Sequence, residues 1–92
     1  MRIYTSYDSD ELLILLAAND EQAFTEIYNR FWKKLFVIAN NRIKDTELAE
    51  DVVHDVFVSL WANRSTAKIQ ALENYLASAT KYLVLAKIKK IE

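Results

Sequence analysis

Between Thr46 and Trp61 the apolar residues fall in adjacent pairs four positions apart: Leu48 and Ala49, Val52 and Val53, Val56 and Phe57, Leu60 and Trp61. On a helix such pairs stack into one broad apolar stripe. The residues between them, Glu47, Glu50, Asp51, His54 and Asp55, gather on the opposite side. The spacing therefore predicts an acidic amphipathic helix over 46–61. A second pattern at spacings of three and four joins Ala23, Phe24, Ile27, Tyr28, Phe31, Leu35, Ile38 and Ala39. It predicts a long helix over 20–40, with Asp20 as its cap and the pair Asn40 and Asn41 near its end. Leu12, Leu13, Leu15 and Leu16 give a shorter helix over 9–18, capped by Asp8 or Ser9, with Asp10 and Glu11 in the favourable first turn. Leu72, Leu76, Ala79, Leu83 and Ala86 predict a buried stripe on a last helix over 72–90. Residues 1–8 are expected to fray. Arg42, Ile43 and Lys44 form or flank a short connection, with Asp45 or Thr46 as the next cap. Residues 62–71 lack periodicity and read as a loop holding one helical turn.

Composition sharpens this picture. The chain has 92 residues, which is one small domain with no internal repeat. It contains neither glycine nor proline. Hairpins and phosphate-cradling loops depend on those residues, so the reading is all-α, a small bundle of four to five helices, and nucleotide-binding fingerprints are excluded. There is no cysteine, hence no disulfide and no thiolate metal site. No apolar run approaches the roughly 20 residues of a membrane span. The N-terminus has no secretion-signal pattern, and a cytoplasmic location is expected.

The net charge of −1 conceals a division along the chain. Residues 1–61 carry six basic and eleven acidic residues, a net of −5, whereas residues 62–92 carry six and two, a net of +4. Such a chain is able to face a basic protein surface with one part and a polyanion with the other. Catalytic chemistry is not indicated. The single histidine, His54, has only Glu50, Asp51 and Asp55 near it, too few strong ligands for a metal site. Ser59, Ser65 and Ser78 have no adjacent base. Neither enzymatic activity nor a cofactor is expected.

Three segments together resemble a known family. ELAEDVVHDVFVSLW is similar to the second conserved region of the extracytoplasmic-function bacterial sigma factors, which runs A-E-D-[LV]-V-Q-[ED]-x-[FV]-x-x-[LA]-W. Upstream, DEQAFTEIYNRFWKKLFVIANNRI resembles the family's D-x-x-A-F-x-x-[LI]-Y-x-x-[YF]. Downstream, LENYLASATKYLVLAKIKK resembles its last helix. The likeness runs from about Asp8 to Lys90. It departs at His54, where Gln is usual, at Tyr82 for Asn, at Ala86 for Asp and at Lys81 for Arg. The family's C-terminal helix-turn-helix domain is absent from these 92 residues.

The resemblance implies a sigma region 2 fold and a role in transcription initiation. The acidic helix would dock on the clamp helices of the largest subunit of RNA polymerase core through Asp51, His54, Asp55 and Val58. Opposed charges would speed encounter and fix orientation. The basic third would meet the non-template strand of the minus-ten promoter element. Asn63, Arg64, Ser65 and Lys68 would hold a flipped base. Asn74, Ser78, Lys81, Tyr82, Lys87 and Lys89 on the last helix, with Arg42 and Lys44, would contact backbone and neighbouring bases. Tyr82 either stacks on a base or packs at the bundle edge. An anti-sigma factor is a further implied partner. Two other readings remain open on the residues alone: a helical protein-interaction module without nucleic-acid binding, and a duplex-binding helical domain.

Overall fold

The computed structural model describes residues 3–91, with side chains through Lys89. Four α-helices follow a 3-10 turn at Tyr4–Ser6, and there is no strand among the described residues. Helix α1 spans Ser9–Ala17, α2 Glu21–Ile43, α3 Thr46–Ala62 and α4 Leu72–Ile91. All-α architecture is what the periodicity predicts, and the ends fall close to the expected ones. Three aspartates start three helices. Asp8 forms a capping box with Glu11, Asp20 accepts from the amides of Gln22 and Ala23, and Asp45 accepts from those of Glu47 and Leu48.

Without glycine, the chain turns its corners on other residues. Asn19 has φ 67° and Lys44 has φ 58°. After α1 the amides of Asn19 and Asp20 return to the carbonyls of Leu16 and Leu15, closing the helix end in a Schellman-type turn. Helix α2 runs three residues past its expected end at 40. Arg42 and Ile43 are good enough helix formers to continue it, and Lys44 ends it by turning left-handed while its amide still donates to Asn40 O at 2.9 Å. Arg42 and Ile43 are thus helical and flank the connection.

Helix α2 is the centre of the bundle and packs on α1, α3 and α4. Its buried residues, Ala23, Ile27, Phe31, Leu35 and Ala39, repeat every four positions. Each step advances about 40° around the axis, so the buried line winds round the helix and serves different neighbours along its length. Leu12 and Leu16 of α1 and Ala49, Val52, Val53, Val56, Phe57 and Leu60 of α3 complete most of the core.

Two expectations need correction. The buried line of α4 is Leu72, Leu76, Thr80 and Val84. Ala79 and Leu83 lie at its edge and Ala86 is exposed. Thr80 takes the core position because its hydroxyl donates to Leu76 O of its own helix at 2.8 Å, which satisfies it without a partner from elsewhere. Nor do residues 3–8 fray. Arg30 of α2 donates to Tyr7 O at 3.0 Å and reaches Tyr4 O and Thr5 O, while the Tyr4 hydroxyl donates to Asp20. Residues 1 and 2 of the segment expected to fray lie outside the described residues, as does the Lys90 side chain.

Candidate functional site

The apolar pairs of α3 turn inward and leave Glu47, Glu50, Asp51, His54 and Asp55 exposed in a row. Val58 follows them, 52% exposed, on the same outer side. Glu50, Asp51, His54 and Asp55 have no ion-pair or hydrogen-bond partner among the described residues. The negative charge of Glu50, Asp51 and Asp55 is therefore unpaired among the described residues. The four residues that the sequence points to on this helix, Asp51, His54, Asp55 and Val58, share one surface. Among the described residues, no group of three His, Asp or Glu side chains is arranged to hold a metal ion.

Beside this row runs a feature that sequence reasoning missed. Tyr28, Trp32 and Phe36 of α2 line a trench of about 340 Å³ with Glu50, Asp51, Val53 and His54 of α3. Tyr28, which belongs to the helical apolar pattern of α2, is 38% exposed, and Trp32 is 41% exposed. The usable signal was three aromatic residues at strict four-residue spacing, displaced to one side of the buried line.

The second region begins at the turn after α3. Asn63 ends that helix and its carboxamide donates to Ser59 O at 3.0 Å. Arg64 lies over the Trp61 ring, 3.9 Å from its centroid. Its Nη1 donates to Trp61 O at 2.7 Å and its Nε to Asn19 Oδ1 at 2.8 Å. Trp61 in turn packs its ring on Phe24 at 5.3 Å between centroids. Of the four loop residues singled out from the sequence, two thus have structural partners, while Ser65 and Lys68 stand exposed.

On α4, Asn74, Ser78, Lys81, Tyr82 and Lys89 are exposed along one side, and Lys87 is half-buried. Tyr82 is 73% exposed, so it does not pack at the bundle edge. Arg42 and Lys81, distant in sequence, line one groove of about 400 Å³ between α2 and α4, with Ile38, Val84 and Leu85 as its apolar part. Lys44 stands exposed just beyond the end of α2. The ion pair of Lys34 with Glu73 ties the same two helices together nearby.

An acidic outer helix and a basic outer helix on one small bundle agree with a particular class of protein. The chain is similar to part of the ECF RNA polymerase sigma factors. Over 77 residues it is 30% identical to SigK of Mycobacterium tuberculosis, a match that takes in 80% of this chain and 41% of the relative. SigK of Mycobacterium bovis matches to the same extent. The chain thus spans about two fifths of the length of these curated relatives. No family model matches the chain, and no solved structure is significantly similar to it. Among the described residues no helix is long and apolar enough to cross a membrane.

Proposed function

We propose that this domain acts in transcription initiation as the region 2 part of a sigma-type factor. In this reading the outer face of α3 docks on the clamp helices of the largest subunit of RNA polymerase, and the 63–68 loop with α4 holds the non-template strand of the minus-ten promoter element. The 77-residue similarity to SigK carries the reading. The separation of an unpaired acidic face from a basic one supports it.

The physical division of labour follows. Asp51 and Asp55 attract a basic protein surface and orient it, while the exposed Val58, one turn further along α3, supplies an apolar contact. Lys81 and Lys89 neutralise phosphates and release counterions, which gives affinity without sequence preference. The exposed Tyr82 offers a face on which an unpaired base stacks, an interaction that adds about 1–3 kcal/mol per base. Ser65 and Lys68 are the free polar groups of the loop. Asn63 and Arg64 shape that loop, so their influence on base preference is exerted mainly through its geometry.

A crossed pair of variants tests the reading. Asp51→Arg with Asp55→Arg is expected to weaken binding to recombinant clamp helices by about 2 kcal/mol or more and to leave single-stranded promoter binding intact. Lys81→Ala with Lys89→Ala is expected to do the reverse, lowering the log–log salt slope by about one to two units. Loss of clamp binding alone, with no measurable DNA binding by the parent, would favour a helical interaction module such as an anti-sigma target. Preference for duplex over single strand would favour a duplex-binding domain.

A further inference from the structure

The trench between α2 and α3 is built from two unlike walls. Tyr28, Trp32 and Phe36 present aromatic surface on one side, and Glu50, Asp51 and His54 present polar groups on the other. The rings are braced. Tyr28 rests on the buried Phe57 at 4.7 Å between centroids, and Trp32 is tilted against Phe36 at 6.3 Å. Leaving this much aromatic surface in water forgoes a large burial gain, which a partner's side chain would recover. The two carboxylates have no cation of their own among the described residues.

An anion would be repelled by that wall, and a purely apolar anchor would strand both carboxylates away from water. A planar cation satisfies both sides: its face lies on a ring while its edge N–H groups reach the carboxylates. The guanidinium is such a group, whereas an ammonium offers no flat face. The same bundle holds one already. Arg64 lies 3.9 Å over Trp61 while its edge donates to Asn19 Oδ1 and Trp61 O.

We infer that the trench is a slot for an arginine side chain carried by a basic helix of a partner protein. The inference rests on the proposed docking role of α3, because Asp51 and His54 belong to both, and it adds the chemistry that the partner must bring. Trp32 is its central residue, since it combines the largest ring with partial exposure.

Two probes separate the slot from the docking role. The first is a helical peptide bearing arginine at four-residue spacing, with versions in which citrulline or lysine replaces arginine, titrated calorimetrically against the 92-residue chain. The arginine peptide should bind at least tenfold tighter than the citrulline peptide and about threefold tighter than the lysine peptide. Trp32→Ala and Glu50→Gln with Asp51→Asn should each erase that preference. Trp32→Leu, which keeps apolar bulk without a π face, should erase most of it, and circular dichroism checks that each variant folds. Equal binding of arginine and citrulline peptides, or an arginine preference that survives in folded Trp32→Leu, overturns the slot. The second probe is the recombinant clamp-helix pair. If it binds parent and Trp32→Leu alike, docking stands and the slot falls. If it binds neither while the peptide preference persists, the slot stands and the polymerase reading falls.

Discussion

Helices α3 and α4 divide their residues between inside and outside in different ways. Six residues of α3 are buried, every one apolar, and its outer face carries Glu47, Glu50, Asp51 and Asp55 beside the exposed His54 and Val58. On α4 the buried line includes a hydroxyl, Thr80, and the outer face mixes lysines with Tyr82 and Leu85, which are 73% and 48% exposed. Between Leu85 and Lys89 no residue is buried. Of the two helices α3 thus carries more of the buried core, while α4 leaves apolar surface exposed at Tyr82 and Leu85. The two outer faces suit different partners. Carboxylates in a row match a folded basic surface, whereas cations interleaved with exposed apolar groups match a chain of phosphates and unstacked bases.

The sharpest way to break this contrast is in the core. Phe57→Ala, at a site enclosed by Phe24 and Tyr28, is expected to remove about 3–5 kcal/mol, most of a small domain's stability. Val84→Ala on α4 should remove about 1–2 kcal/mol, since fewer buried atoms are deleted. Urea titration measures both losses, and the size-matched pair Val56→Ala on α3 and Val84→Ala on α4 tests the asymmetry: equal losses there would contradict it. Native-state amide exchange sharpens it further: the last turns of α4 should exchange well before the middle of α3.

A smaller effect is expected at the junction between the two helices. Arg64→Ala loses a ring contact and two hydrogen bonds at a half-buried site and should lower stability by about 1–2 kcal/mol, with a red shift of Trp61 emission. Arg64→Lys keeps the charge but not the planar fork, and should recover less than half of the loss. The smallest effect is expected at Thr80→Val. Its hydroxyl bonds only within its own helix, so stability should change by no more than about 0.5 kcal/mol in thermal melts.

The same contrast explains what was legible in the sequence. The inner and outer faces of α3 can be read directly from paired apolar positions, because every core position there is strongly apolar. On α4 the eye follows Ala79, Leu83 and Ala86 by hydropathy, while the chain follows Leu72, Leu76, Thr80 and Val84 by geometry. A threonine that satisfies its own hydroxyl is cheap to bury, and hydropathy does not register this. Features that depend on distant partners left no local trace. Arg30 is an ordinary helix cation until it meets the carbonyls of residues 4, 5 and 7. Arg64 is an ordinary loop cation until Trp61 and Asn19 surround it. The charged face of α3 could be named from sequence; the four-residue spacing of Tyr28, Trp32 and Phe36 marks an aromatic row on α2, but not that it becomes a wall of the trench, which needs α2 and α3 side by side.

Asn19 carries one further consequence, for anyone redesigning this chain to withstand heat. A left-handed corner held by a residue with a Cβ invites replacement by glycine, and at the exposed Lys44 no side-chain hydrogen bond or ion pair among the described residues opposes that change. At Asn19 it is opposed, because the residue that tolerates φ 67° is also the one whose carboxamide oxygen fixes Arg64 from across the bundle. Relaxing that corner's backbone would release a loop 45 positions away. The two corners look interchangeable in a list of torsion angles, yet only one is open to the engineer.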